Sequence, residues 1–565
     1  MHARRTFLRA SAFFLLAAWL VWTPGHAQAP QQVTITLLST TDLHGNLYPF
    51  DYFQNRAASR GLAKVGTLVK QVRAETPHTL LVDCGDTIQG TSLAYYFARK
   101  DTSQPNPTIA LMNALGFDAM ATGNHEFNFG LDVLWRAKRE SNFPWLAANI
   151  RQDYFPGDDA YFPSHLIKEV AGVRVGIVGF ITPGVPNWEQ PENYKGYSFE
   201  SIVAAAKRVI PEVRKQVDLL VVIAHSGLGR NPQTGEGDTA GDVANENQIW
   251  DLAEQVPGID VIFFGHTHRE LSEKFIGNVL LAQARNWGQS LARADVTLQR
   301  VGNRWEVMRK ASRVMPVTDS VPADPQLLAM AEPYHAATQK YLDTPVATLS
   351  QPLTGITGRV EDHPLVDLIH KVQLEYGQAD VSMATIFIPN LQFRAGPITV
   401  RELAALYLYE NTLYVVEMTG AQLKEALEHA ASHYPSWPPQ QGERIAQPSY
   451  QTDVAEGVEY KVDLTQPVGR RIRDLRFRGA ALDASRKLRV AINNYRYTGG
   501  GNYRVYPGLP VVYRSPQEVR ELLIEYVQRT QRIPTTANGN WEIVPPEARR
   551  ALLDAVTAPP PPRSP

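Results

Sequence analysis

The sequence predicts two α/β domains in a chain of 565 residues. Short apolar runs rich in branched side chains alternate with stretches of helical periodicity, and a proline-bracketed stretch at 316–345 separates one such series from a second. In the first series the apolar runs end in polar clusters of the metal-ligating type, which points to an enzyme.

Residues 1–29 read as an export signal. Arg4-Arg5-Thr6-Phe7-Leu8-Arg9 precedes the apolar run Ala10 to Trp22, and small residues near Gly25-His26-Ala27-Gln28-Ala29 offer a cleavage site. The paired arginines resemble a twin-arginine signal, with an ordinary secretory signal as the alternative. The expected destination is the periplasm, without a membrane anchor, because the apolar core falls short of about 20 residues. The formal net charge is −1, and losing Arg4, Arg5 and Arg9 with the signal leaves −4. That balance offers no case for a nucleic-acid polymer as partner, and none is expected, since backbone binders normally concentrate a basic face. A small-molecule substrate and a monomer are expected. Cys84 is the only cysteine, so no intrachain disulfide forms, and a lone thiol there reads as a small buried residue.

Val33 to Thr40 is a buried strand by its branched apolar run, and it delivers Asp42 and His44. Leu62, Val65, Leu68, Val69 and Val72 fall at helical spacing. Thr79 to Val82 is a second strand, leading to Gly85-Asp86, and a helix over Thr108 to Leu115 precedes Gly123-Asn124-His125-Glu126. Further strands at Val173 to Phe180, Leu219 to Ala224 and Val261 to Phe264 follow, the last two ending at His225 and at Gly265-His266-Thr267-His268. This series forms a domain over 30–315. Gln326 to Tyr341 is a connecting helix within the 316–345 linker. A second domain over 346–548 contains strands at Leu413 to Met418, Val458 to Leu464 and Leu488 to Ile492. Thr399-Val400-Arg401-Glu402 and Thr419-Gly420-Ala421-Gln422 are capping boxes that open helices. Residues 549–565 read as a Pro-rich tail, and its stretch from Ala558, nearly all proline, is expected to be disordered.

Two divalent cations about 3.5 to 4 Å apart stabilise in-line attack on phosphorus, and such a site needs a shared carboxylate flanked by imidazole and oxygen ligands. Asp86 is the expected bridge. Asp42, His44 and His268 would hold one metal, and Asn124, His225 and His266 the other. Singly, each has a plainer explanation, as a cap, a turn former or a hydrogen-bonded histidine. Their joint occurrence in this order overturns those explanations. Mixed nitrogen and oxygen ligation suits Zn, Mn, Co or Fe without choosing among them.

In this order, Asp42-Leu43-His44, Gly85-Asp86, Gly123-Asn124-His125-Glu126, His225 and Gly265-His266-Thr267-His268 resemble the calcineurin-like metallophosphoesterases. The whole layout is similar to the bacterial periplasmic 5'-nucleotidase family. Ser39 to Asn46, Leu406 to Leu413 and Asn493-Asn494-Tyr495-Arg496 look most like its bifunctional 2',3'-cyclic-nucleotide 2'-phosphodiesterase/3'-nucleotidase branch. The resemblance implies a four-layer sandwich of two mixed sheets flanked by helices, plus a second α/β C-terminal substrate-binding domain.

It further implies that Tyr409 and Tyr495 hold the nucleoside base by stacking. Core packing is an equal explanation for Tyr409. Arg394 and Arg496 are the arginines expected at phosphate or base. His125 matches a residue that stabilises or protonates the leaving oxygen. Relatives acting on 5'-nucleotides carry an Asp three residues on to orient that histidine, and this chain has Asn128. The expected reaction is hydrolysis of a 2',3'-cyclic nucleotide to the 3'-nucleotide and then to nucleoside and phosphate, with the linker as hinge. The alternatives are a 5'-nucleotidase or UDP-sugar hydrolase, a thiosulfohydrolase-like enzyme, and a non-catalytic nucleotide-binding envelope protein.

Overall fold

The computed structural model describes residues 31–152, 161–237, 245–409, 411–439 and 449–558, so the segment expected to be an export signal and the residues beyond 558 lie outside it. Among the described residues no helix is long and apolar enough to cross a membrane.

Two six-stranded mixed sheets build the first domain. In the first, Gln32–Thr40 pairs in parallel with Thr79–Asp83 and antiparallel with Ser290–Val301. Leu219–His225 is central in the second and runs parallel to both Val173–Ile181 and Val261–Phe264. Side chains alternate between the two faces of a strand. Ile35 and Leu37 therefore meet Ile177 and Val221 between the sheets, while Leu38 faces the outer helices. Helices Ile202–Arg214 and Ile249–Gln255 cover the other face of the second sheet. The result is the expected helix, sheet, sheet, helix sandwich.

The connecting helix runs Pro325–Leu342 and is capped by Asp324, whose side chain accepts the Leu327 amide. It packs onto the catalytic-side helices Leu62–Glu75, Ser92–Arg99 and Pro107–Leu115 and buries Leu327, Ala331 and Leu342. Arg401 ties it down: one guanidinium nitrogen donates to Tyr52 O at 2.7 Å, another to Gln339 Oε1 at 2.6 Å and Asp343 Oδ1 at 2.7 Å.

The second domain carries a five-stranded sheet with Lys487–Asn493 at its centre and a four-stranded sheet ending in Trp541–Val544. Both expected capping boxes form, at Thr399 with Glu402 and at Thr419 with Gln422. The expected tail needs correction. Residues Pro546–Thr557 form a helix that buries Ala548, Leu552 and Val556, a four-residue spacing that the surrounding prolines mask. The domain therefore continues past 548.

Candidate metal centre

Five loops at the carboxyl ends of strands from both sheets converge on one point. Gln32–Thr40 delivers Asp42 and His44, Thr79–Asp83 delivers Asp86, and Ala119–Ala121 delivers Asn124 and His125. Leu219–His225 ends in His225, and Val261–Phe264 delivers His266 and His268. Asp42, His44, Asp86, His266 and His268 all adopt left-handed backbone, with φ between 47° and 77°. That conformation is costly for residues with a side chain and persists only where surrounding contacts enforce it. Here backbone bonds between loops do so: Asp42 N donates to Gly85 O at 2.9 Å and His44 N to Asp86 O at 2.8 Å. Gly265 permits the closest approach, since a Cβ there would lie 1.9 Å from Thr41 Oγ1.

The expected ligands assemble into two groups, Asp42 with His44 and His268, and Asp86 with His225 and His266. Within each group the ligand atoms lie within 4.8 Å of one another. Asp86 Oδ2 reaches toward both, 2.9 Å from His225 Nε2 and 3.8 Å from His44 Nε2.

The donor set fits divalent cations. His44 Nδ1 is 3.0 Å from Gln89 O and His225 Nδ1 is 2.8 Å from Cys84 O. A carbonyl only accepts, so each Nδ1 carries a proton, which leaves Nε2 as the nitrogen that a cation can take. These nitrogens face other imidazoles: His44 Nε2 is 3.0 Å from His268 Nε2, and His225 Nε2 is 3.2 Å from His266 Nδ1. Asn124 Oδ1 is buried with no hydrogen-bond partner, as an oxygen reserved for a cation would be.

Burial opposes charge on these groups, and the carboxylates decide where it settles. Burial pushes the His44 imidazole down to about 4 against the attraction of Asp86. His225 is also buried, yet contact with Asp86 overrides this and raises it to about 10. Asp86, despite its own burial, is held well below the ordinary carboxylate range by His225 and His125. The pocket thus favours positive charge beside Asp86.

Three glutamates complete the centre, and sequence reasoning assigns none of them a role. Glu126, fully buried, accepts the amides of Asp86 at 2.9 Å, Thr87 at 2.6 Å and Gly123 at 2.6 Å, stitching two ligand loops together. Glu246 Oε1 lies 2.6 Å from His266 Nε2, which turns Nδ1 toward the pocket. Glu189, also buried, stands behind Asn128. His125 Nδ1 is 2.5 Å from Asn128 Oδ1, and Asn128 Nδ2 donates to Glu189 Oε2 at 2.6 Å. Burial raises the Glu189 carboxyl above its ordinary range, while N–H donors from Gln190, Asn193 and Asn128 oppose that rise. Only the position of Glu126 inside the Gly-Asn-His-Glu motif could have drawn attention from sequence.

In the second domain Tyr409 and Tyr495 are 50% and 38% exposed, which sets aside plain core packing for Tyr409. The Tyr409 and Phe387 rings meet nearly perpendicular, with centroids 5.0 Å apart. Gly500 lets the Tyr495 ring lie close, since a Cβ there would sit 2.5 Å from it. Arg496 is corrected: it is only 2% exposed, and its guanidinium is committed to Asp453 through two bonds of 2.8 Å. It backs the Tyr495 ring at 5.6 Å rather than reaching outward. Arg394 is exposed after the short strand Gln392–Phe393. The two domains meet beside the metal centre, where Asn494 Nδ2 donates to Trp188 O at 3.0 Å and the Trp188 ring lies 5.5 Å from His266.

Residues 35–270 match the calcineurin-like phosphoesterase family, and residues 345–508 match the 5'-nucleotidase C-terminal domain. A 2',3'-cyclic-nucleotide 2'-phosphodiesterase/3'-nucleotidase of Haemophilus influenzae is 28% identical over 96% of this chain and 92% of its own length. The trifunctional nucleotide phosphoesterase protein YfkN of Bacillus subtilis is 28% identical over 94% of this chain, which spans 40% of that protein. Among solved structures, a putative 5'-nucleotidase from Staphylococcus aureus superposes with a TM-score of 0.76 at 26% identity, covering 90% of this chain and 100% of that one. The chain therefore carries a calcineurin-like phosphoesterase domain followed by a 5'-nucleotidase C-terminal domain, and is a metal-dependent phosphoesterase.

Proposed function

We propose that this enzyme hydrolyses 2',3'-cyclic nucleotides to 3'-nucleotides and then releases nucleoside and phosphate from these. The observation that carries the reading is the pairing of a two-group ligand cluster with two half-exposed tyrosines on the adjoining domain. The names of full-length relatives support the cyclic and 3' specificity.

Asp42, His44 and His268 would hold one cation and Asn124, His225 and His266 the other, with Asp86 shared between the two groups. When bound, the two cations (Zn, Mn, Co or Fe) supply Lewis acidity toward the phosphoryl group and activate the attacking water. Tyr409 and Tyr495 stack the base, which places the ribose phosphate toward the cluster without selecting strongly among bases. His125 Nε2 lies 3.9 Å from Asp86 Oδ2, on the pocket side of its ring. In the first step water adds to phosphorus, the P–O2' bond breaks, and His125 delivers a proton to O2'. In the second, another water adds to phosphorus, the P–O3' bond breaks, and O3' takes a proton from His125. The protein acts as an exported monomer.

Purified enzyme reconstituted with Mn or Co is to be assayed on 2',3'-cyclic AMP, 3'-AMP, 5'-AMP and UDP-glucose, with release of phosphate or sugar phosphate as the readout. Turnover of the first two is expected. An enzyme that leaves both intact overturns the reading, and preference for 5'-AMP favours a 5'-nucleotidase, the activity named for the structural neighbour.

A further inference from the structure

We propose that Glu189 is a positioning residue for His125, acting through Asn128 to fix which imidazole nitrogen carries the proton. The inference rests on the leaving-group role of His125 stated above. Three N–H groups converge on the Glu189 carboxylate: Asn128 Nδ2 on Oε2 at 2.6 Å, and Gln190 N at 2.6 Å and Asn193 Nδ2 at 2.9 Å on Oε1. An ionised carboxylate only accepts, so the Asn128 NH2 must face Glu189 and Asn128 Oδ1 must face His125. The amide oxygen also only accepts, so His125 Nδ1 bears hydrogen. Nε2 is then the nitrogen that gains and gives the proton at the leaving oxygen. Asn128 alone cannot enforce this, because an amide offers either face. Glu189 sets the sense of the chain.

The place of Glu189 also connects it to the substrate-binding domain. Its neighbour Trp188 accepts from Asn494, which adjoins Tyr495, and Gln190 Nε2 donates to Ser515 O. The residue that orients the leaving-group histidine thus lies on the segment that meets the base-binding side.

The donor and acceptor logic predicts a rescue. In E189Q, the Gln oxygen best serves Gln190 N and Asn193, so its NH2 turns to Asn128, whose amide flips and presents NH2 to His125. In N128D, two carboxylates face each other across 2.6 Å. In the double variant, Asp at 128 accepts from both His125 and the Gln at 189, and the sense is restored.

The four proteins are to be compared on 3'-AMP and on p-nitrophenyl phosphate, whose leaving group needs no proton. The His125 tautomer is to be read by 15N NMR on metal-free protein. E189Q is expected to lower kcat on 3'-AMP about ten- to hundredfold with KM nearly unchanged, and to cost far less on p-nitrophenyl phosphate. Its His125 should leave the Nδ1–H tautomer, and E189Q/N128D should return both readings close to wild type. An unchanged tautomer or an unchanged kcat on 3'-AMP in E189Q overturns the proposal, as does a double variant no better than either single one. If wild type itself ignores 3'-AMP, the nucleotide reading fails, and the tautomer alone decides the role of Glu189.

Discussion

Asp86 and Glu126 are both buried acids, and the second holds the backbone of the first, accepting the Asp86 amide at 2.9 Å. Glu126 also serves Thr87 and Gly123, so its removal strands several buried donors at once. A buried amide left without a partner costs about 1 to 3 kcal/mol. Glu126→Ala is expected to lower stability by at least about 3 kcal/mol, and Glu126→Gln by less because one acceptor oxygen remains. The denaturant midpoint of the catalytic-domain transition measures this, and an unshifted midpoint for Glu126→Ala would contradict the stitching role.

Asp86 reaches both ligand groups, whereas Asp42 and His268 belong to one. Asp86→Ala is therefore expected to lose both metals. Asp42→Ala or His268→Ala should keep about one of the two. Elemental analysis of purified variants gives the ratio. Treatment with a chelator should abolish hydrolysis, and added Mn or Co should restore it.

Acid should destabilise the second domain through His370. This side chain is fully buried, and burial lowers its imidazole to about 3. Ser382 Oγ donates to Gln373 Oε1, so His370 Nδ1 must donate to Ser382, which requires no charge on the ring. The unfolded chain takes up a proton near pH 6.5 while the folded one resists it. The stabilising contribution is thus complete above about pH 6.5 and is lost as pH falls toward about 3. His370→Asn keeps a donor toward Ser382 and removes the titration. Its unfolding midpoint should fall less between pH 6.5 and 4 than that of wild type, and parallel losses would refute the assignment.

Tyr409→Ala and Tyr495→Ala should each weaken nucleotide binding about five- to 150-fold, the range that about 1 to 3 kcal/mol of base stacking gives. Glycerol phosphate, which has no base, should show the same KM in all three proteins. Equal losses on both substrates would mean that the tyrosines support the fold rather than the base.

Legibility from sequence follows how local each signal is. The strands that carry ligands are apolar runs closed by their own ligands, so Asp42, Asp86 and His266 are readable where they stand. Both capping boxes are readable for the same reason. Glu189 is not, because its partner Asn128 lies 61 residues away and Trp188-Glu189-Gln190 has neither periodicity nor a second ligand type. Arg496 reads as a loop residue until Asp453, 43 residues earlier, draws its guanidinium inside. The hairpin Ser290–Val301 with Arg304–Pro316 escapes as well, since its arginines and Asp295 break the apolar run that marks a buried strand.

The packing of Pro325–Leu342 decides where this protein can be cut. A fragment ending at residue 315, the boundary that the sequence suggests, would uncover the helix surfaces on which Leu327, Ala331 and Leu342 rest, including Phe97 against Tyr334 and Tyr96 against Tyr341. Such a newly bared apolar face invites aggregation. A catalytic fragment meant to stay in solution must therefore extend through Leu342, so the chain's apparent linker is, for expression purposes, the last helix of the first domain.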